Sequence, residues 1–220
     1  TRRRVGPDEQ RNGVAHRVAL CGVFAQDGGK RMRHGVVVGH PAAVARARIG
    51  ARLAVRHLLE QGHKEIVCIT GQLSKPTTQQ RLDGVRDALG EHGLTLKDEQ
   101  IFEGDYESQS GYDAMQRILA LKPRPTAVFA FDDPMAIGAI CAAWEAGVKV
   151  PDDISMIGYD DVEMARFSSP PLTTIRHPKA ELGLLAVQQL VSRIRNKELE
   201  VESMTVQPEL IVRRSVKPLR

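Results

Sequence analysis

The chain has 220 residues, 42% of them apolar and 26% charged, the balance of a folded soluble protein and not of one disordered throughout. It holds no run of the ~18–20 uncharged apolar residues a membrane helix needs, and Thr1–Val5 leads into no apolar signal core, so a cytoplasmic location is expected. Three cysteines, Cys21, Cys68 and Cys141, are odd in number, far apart and without CxxC or Cys/His spacing, which argues against a disulfide framework and against zinc. Cys68 and Cys141 sit in apolar runs and are expected to be buried thiols.

The net charge of +4 divides unevenly. Residues 1–48 carry 10 Lys+Arg against 3 Asp+Glu, and residues 49–220 carry 21 against 24, or +7 and −3. The folded body is therefore not a basic nucleic-acid surface. The leading 48 residues are rich in Arg, Gly, Val, His and Ala and show no period beyond a strand candidate at Val36–Val38. A basic arm that tracks phosphates is one reading of them. The stronger reading is a segment poorly ordered or foreign to the rest of the chain.

Clear periods begin at Ile49. Leu53, Ala54, Val55 and Leu58 form an apolar helical stripe running up to Gly62, a helix C-terminal glycine. The run Glu65–Thr70 suits a strand buried on both faces. Leu82, Val85 and Leu89 mark a helix ending near Gly90 or Gly93. A shorter strand at Ile101–Tyr106 precedes a helix marked by Tyr112, Met115, Ile118 and Leu119. Thr126–Phe131 is a third strand, Pro134–Ala146 a third helix and Ile154–Tyr159 a fourth strand. A further helix spans 178–195, with Leu182, Leu185, Ala186, Leu190 and Ile194 on one face, and a strand pattern covers Thr205–Arg213. Strands alternating with helices at this spacing predict an α/β fold with a doubly wound parallel sheet and right-handed crossovers.

In such a sheet ligands bind beyond the carboxyl ends of the strands. The four ends here carry Gly71–Arg81, Gly104-Asp105-Tyr106, Asp132-Asp133-Pro134 and Asp160-Asp161, each polar or aromatic. Carboxylates that accept from hydroxyls, donors from Lys, Arg and amides, and an aromatic face for ring C–H suit a sugar or similar polyol. Asp160, at the end of an apolar strand, is favoured as functional. Asp133 before Pro134 fits a helix N-cap as well as a ligand contact, and Asp161 fits capping or ion pairing. Tyr106 is balanced between ligand contact and core aromatic, with nine aromatics in the whole chain. Thr77 and Gln79 are weak alone. The paired aspartates suggest an acid/base pair or a magnesium site, but adjacent residues seldom aim at one atom. No GxSxG, GxxxxGK[ST] or HExxH motif is present, so nothing supports an enzyme.

Residues 49–220 resemble the effector-binding core of LacI/GalR-family transcriptional repressors, with a texture like the ribose and purine repressors. The resemblance is carried by Gly62–Gly71, Arg81–Gly84, Gly104–Glu107 with Ser110–Tyr112, Arg124–Phe129, Val150–Asp161, Pro170–Ile175 and Arg213–Val216, in the family's order. It implies a type I periplasmic-binding-protein-like fold of two α/β subdomains, usually dimeric, around a cleft for a pentose, hexose or purine, with no cofactor, no metal and no membrane. Residues 49–175 would form mainly the C-terminal subdomain, the helix at 178–195 would belong to the N-terminal subdomain, and 205–216 would return to the C-terminal one. By position, Tyr106 would pack on the effector and Asp160 would hold its hydroxyls or ring nitrogens. Lys75 and Thr77 fall where purine repressors carry contacts. Gln79 falls where many sugar-responsive members carry arginine, Asp132 where sugar binders often have asparagine, and His177 where the crossover often has glutamine. A sugar-binding protein of the same fold, or a non-functional fragment, is the alternative.

Family members begin with a helix-turn-helix and most of the N-terminal subdomain, and residues 1–48 show neither. The expectation is an incomplete N-terminal subdomain, from a shifted frame or a truncated gene, and no specific operator binding by this chain alone. Helix 178–195 would then expose its apolar face. The apolar helix at Pro134–Ala146 and the loop after Tyr159 resemble the family's dimer face, so a homodimer is expected.

Overall fold

A computed structural model describes residues 41–196 and 207–219. The strand expected at Val36–Val38, Cys21 and the start of the strand expected at 205–213 lie outside the described residues. Helix α1 (Pro41–Glu60) buries Ala51, Ala54, Val55 and Leu58. It begins upstream of residue 49, where the sequence texture changes. Its C-terminus is closed by Gly62 at φ +89°, with His63 N–H donating to the Leu58 carbonyl and Gly62 N–H to that of Leu59. A residue with a Cβ would be strained in that left-handed position.

The chain then alternates: β1 (Ile66–Thr70), α2 (Pro76–Gly90), β2 (Ile101–Glu103), α3 (Ser108–Leu119), β3 (Ala127–Ala130), α4 (Asp133–Glu145) and β4 (Ser155–Ile157). The four strands form one sheet in the order β2-β1-β3-β4, all pairs parallel. Every residue of β1, β3 and β4 is buried, which is why they read as unbroken apolar runs and not as alternating ones. The order reverses between β1 and β3. Right-handed crossovers therefore place α2 on one face and α3 and α4 on the other. Helix α1 packs on α2, and α3 on α4, where Gly111 and Gly138 let the helices touch backbone to backbone.

Three short elements went unread in the sequence: a 3-10 turn at Asp98–Gln100, helix α5 (Glu163–Phe167) and β5 (Thr174–Arg176). β5 pairs antiparallel with β6 (Glu209–Ile211), and between them lies α6 (Lys179–Arg195). Residues 213–219 close the far edge of the sheet. Met156 N–H donates to the Ser215 carbonyl, Ser215 Oγ donates to the Met156 carbonyl, and the buried His63 ring joins Thr126 Oγ1 to the Lys217 carbonyl.

Two expectations are corrected. Cys68 is buried, its thiol pushed up to about 12 by desolvation, but Cys141 is exposed, because α4 turns Ala139, Ile140, Ala142 and Ala143 inward. The N-cap of α4 is Asp132 and not Asp133: Asp132 Oδ1 accepts from Met135 N–H at 2.8 Å. On α6, Leu184, Val187, Leu190, Val191 and Ile194 are exposed, a stripe that shares Leu190 and Ile194 with the face expected from the sequence, whereas Leu185 is half-buried.

Candidate functional site

The reversal of strand order puts the carboxyl ends of β1 and β3 side by side, where a crevice opens in folds of this type. Arg81 stands at that place. It lies on the inward face of α2 with Thr78, Leu82 and Val85, and it is nine-tenths buried. Its guanidinium lies 3.9 Å from the ring centre of Tyr159 and 6.0 Å from that of Tyr106. Nη1 donates to the Phe131 carbonyl at 2.6 Å, and Nη2 is 4.0 Å from Asp160 Oδ1. Arg81 Nε and Thr70 Oγ1, both buried, have no hydrogen-bond partner among the described residues. Buried polar atoms left in this state are rare in folded proteins.

Four of the residues singled out in the sequence gather around this arginine. Tyr106, at φ +75°, shares a 2.6 Å hydroxyl–hydroxyl hydrogen bond with Thr78 and lies over Gly71, where a Cβ would collide with its ring. Asp160, at φ +102°, keeps its carboxylate partly exposed, between Arg81 and Lys179 Nζ at 3.8 Å. Asp132 is buried; desolvation pushes its carboxyl up to about 7, with Asp160 adding to the rise and Arg81 opposing it. His177 Nε2 is 3.0 Å from Tyr159 Oη. Burial holds its ring below the ordinary imidazole value, Asp160 pulls the other way, and Arg81, Lys179 and Arg46 reinforce the lowering.

The remaining three sit apart from that cluster, on and just before the first turn of α2. Lys75 occupies the N-cap position and is exposed, as is Thr77. Gln79 Nε2 turns back to the Leu73 carbonyl at 2.5 Å. Thr78, not Thr77, reaches Tyr106. Sequence reasoning missed Thr78, Arg81 and Tyr159 as site residues, although an arginine in register with Leu82 and Val85 on an apolar helix face was a legible signal.

The second aspartate of each pair is internal. Asp133 is fully buried and accepts from Val162 N–H at 2.8 Å and Thr174 Oγ1 at 2.6 Å; desolvation pushes it up to about 6. Asp161 is ion-paired, at 2.6 Å each, with Arg176 and Arg213. Neither is free to serve an acid/base or magnesium pair, and no group of three or more His, Cys, Asp or Glu among the described residues could hold a metal ion. A groove of about 360 Å³ lies elsewhere, lined by Ile140, Trp144, Val148, Lys149, Val150 and Pro170, and carries none of this polar chemistry.

Residues 55–216 match the periplasmic binding protein-like domain, and the chain belongs to that family. Within it the chain corresponds to the effector-binding domain of LacI-family regulators. It is 52% identical over 167 residues to the HTH-type transcriptional repressor PurR of Erwinia tasmaniensis, covering 76% of this chain and 49% of that protein. Its identity to the PurR of Mannheimia succiniciproducens is 48% over 170 residues, 77% of this chain and 51% of that one. The chain thus spans about half the length of the curated relatives it matches. Among solved structures, a LacI-family transcriptional regulator from Enterococcus faecium with bound ribose superposes with a TM-score of 0.74 at 31% identity, over 80% of this chain and 65% of that one. The Escherichia coli transcriptional repressor ascG gives 0.73 at 32%, over 79% and 63%. The PurR proteins and ascG are transcriptional repressors, and the Enterococcus faecium protein is a transcriptional regulator.

Proposed function

We propose that this chain is the effector-binding part of a cytoplasmic LacI-type repressor, and that its effector is a small polar ring compound held at the carboxyl ends of β1 and β3. The observation that carries this is the buried Arg81, clamped between Tyr106 and Tyr159 with an unpaired Nε and facing the partly open carboxylate of Asp160. Tyr106 supplies a flat apolar face, Asp160 accepts from hydroxyls or ring N–H groups, and Asp132 donates or accepts according to its proton. Lys75, Thr77, Gln79 and His177 are assigned to the rim of the same site. The alternation of two acidic groups with one arginine suits a pentose, and the half-identity to PurR proteins favours a purine.

The same reading assigns residues 49–175 mainly to the C-terminal subdomain, α6 to the N-terminal one and 205–216 to the return into the C-terminal subdomain. In a whole repressor, effector binding would change affinity for operator DNA, a coupling between two sites. The exposed Trp144 on α4 and Met164 and Phe167 on α5 support a homodimer.

Thermal unfolding with ribose and with hypoxanthine, each added separately, tests the reading. One compound should raise the midpoint in wild type, and Asp160→Asn and Tyr106→Ala should abolish the rise. A rise that survives both substitutions would place the site elsewhere.

A further inference from the structure

Asp160 and Asp161 are neighbours with opposite surroundings. The Asp160 carboxylate meets its cations only at 3.8 and 4.0 Å and stays open. Asp161 is 8% exposed, with Oδ1 taking Arg213 Nη2 and Oδ2 taking Arg176 Nε, both at 2.6 Å. Burial pushes the Asp161 carboxyl up, but the hydrogen bonds and charges of the two arginines outweigh it and hold it below the ordinary carboxylate value.

Both residues also have positive φ, +102° and +48°. Side chains in that region are strained and persist only where the surroundings over-determine them. Backbone bonds supply part of that constraint: Asp160 N–H donates to the Ile175 carbonyl at 2.7 Å, and Val162 N–H to Asp133. The ion pairs complete it. Arg213 is fixed independently of Asp161, because Nη1 donates to the Leu172 carbonyl at 2.8 Å and its own N–H to Thr173 Oγ1 at 3.0 Å. It is an anchored cation that holds Asp161 in place.

We propose that Asp161, gripped by Arg176 and Arg213, is a positioning residue that aims the Asp160 carboxylate at the effector and does not touch the effector itself. The proposal rests on the effector site described above. Arg176 is the last residue of β5, just before the chain leaves toward α6, and Arg213 follows β6 on its return. One carboxylate therefore holds both ends of that excursion, and a displacement of either strand is transmitted to the residue beside Asp160.

The test uses the full chain with Arg213→Gln, Asp161→Asn, Arg213→Lys and, as an exposed neighbour, Arg214→Gln. Three readouts are needed: the circular-dichroism melt, the NMR backbone coupling and Cα shift of Asp160, and calorimetric titration with ribose and with hypoxanthine. The expected result is a cooperative melt for Arg213→Gln, an Asp160 that leaves its left-handed conformation, and a fall of about tenfold in affinity for the compound wild type binds. Arg213→Lys should recover part of this, and Arg214→Gln should match wild type. If Arg213→Gln fails to fold, Asp161→Asn, which keeps the shape and one acceptor oxygen, decides by the same measurements. An unchanged Asp160 backbone in the folded variants, or unchanged affinity, overturns the proposal. If wild type binds neither compound, the effector reading fails by itself, while the Asp160 backbone still decides the positioning role.

Discussion

The ring of Tyr106 rests on the bare Cα of Gly71, in the space a side chain at residue 71 would need. The close approach links the end of β1 to the loop after β2 and holds the tyrosine hydroxyl against Thr78. Gly71→Ala should displace the ring and break that hydrogen bond, at a cost of about 1 kcal/mol. In a chain of this size the melting midpoint should drop by about 2–4 °C. Thr78→Val, which removes only the hydroxyl, should show a similar drop by circular dichroism. A Gly71→Ala melt identical to wild type would mean the ring is not seated there.

Asp132 makes stability depend on pH in a defined direction. Its folded value, about 7, lies above the ordinary 3.8, so the native state binds more protons than the unfolded chain between those limits. Stability is then fully present below about pH 4 and is lost as pH rises toward 7, by an amount on the order of a few kcal/mol. Asp133, raised to about 6, slopes the same way. Asp132→Asn keeps an acceptor for the Met135 N–H cap, so its melting midpoint should vary less between pH 5 and 7.5 and exceed that of wild type at the upper end. Parallel curves for the two proteins would show that Asp132 is ionised throughout.

Helices α3 and α4 meet at Gly111 and Gly138, where an added Cβ would strike the carbonyl oxygens of Met135 and Ser108. Backbone cannot swing aside as a side chain can. Gly138→Ala should therefore destabilise by about 1–3 kcal/mol through overpacking, despite its favourable helix propensity. Gly90→Ala, at a helix position with open space around it, should be neutral or slightly stabilising in the same urea titration.

The uncovered stripe on α6 should make the isolated chain adhesive. Val187→Glu with Val191→Glu, both at exposed positions, should lower binding of a hydrophobic dye and shift sedimentation toward smaller species, with the melting midpoint unchanged. A fall in midpoint instead would mean the stripe is packed in solution.

The strands were legible because β1, β3 and β4 are buried on both faces and bounded by glycine or charge, a pattern that needs no tertiary information. β5 and α5 were not, since each is three to five residues long and is defined by partners far away, β5 by β6 and α5 by its place after the Asp160 turn. At the site, Asp160 and Tyr106 were readable from their place after a strand. Arg81 carried a signal in its place on an apolar helix face, but the two aromatic rings beside it arrive from other loops and were not legible. The roles of Asp132 and Asp133 depend on helix phase at a single residue, which spacing alone leaves open.

The edge closed by residues 213–219 sets an order on folding during synthesis. β4 lies at the border of the sheet, and its backbone finds part of its partnership only in Ser215, 59 residues later. Until those residues leave the ribosome, a growing chain has only the Thr173 segment along the end of β4, and the Met156 backbone groups on that margin stay unpaired. A stop codon between residues 157 and 213 would therefore yield a sheet without its final seal.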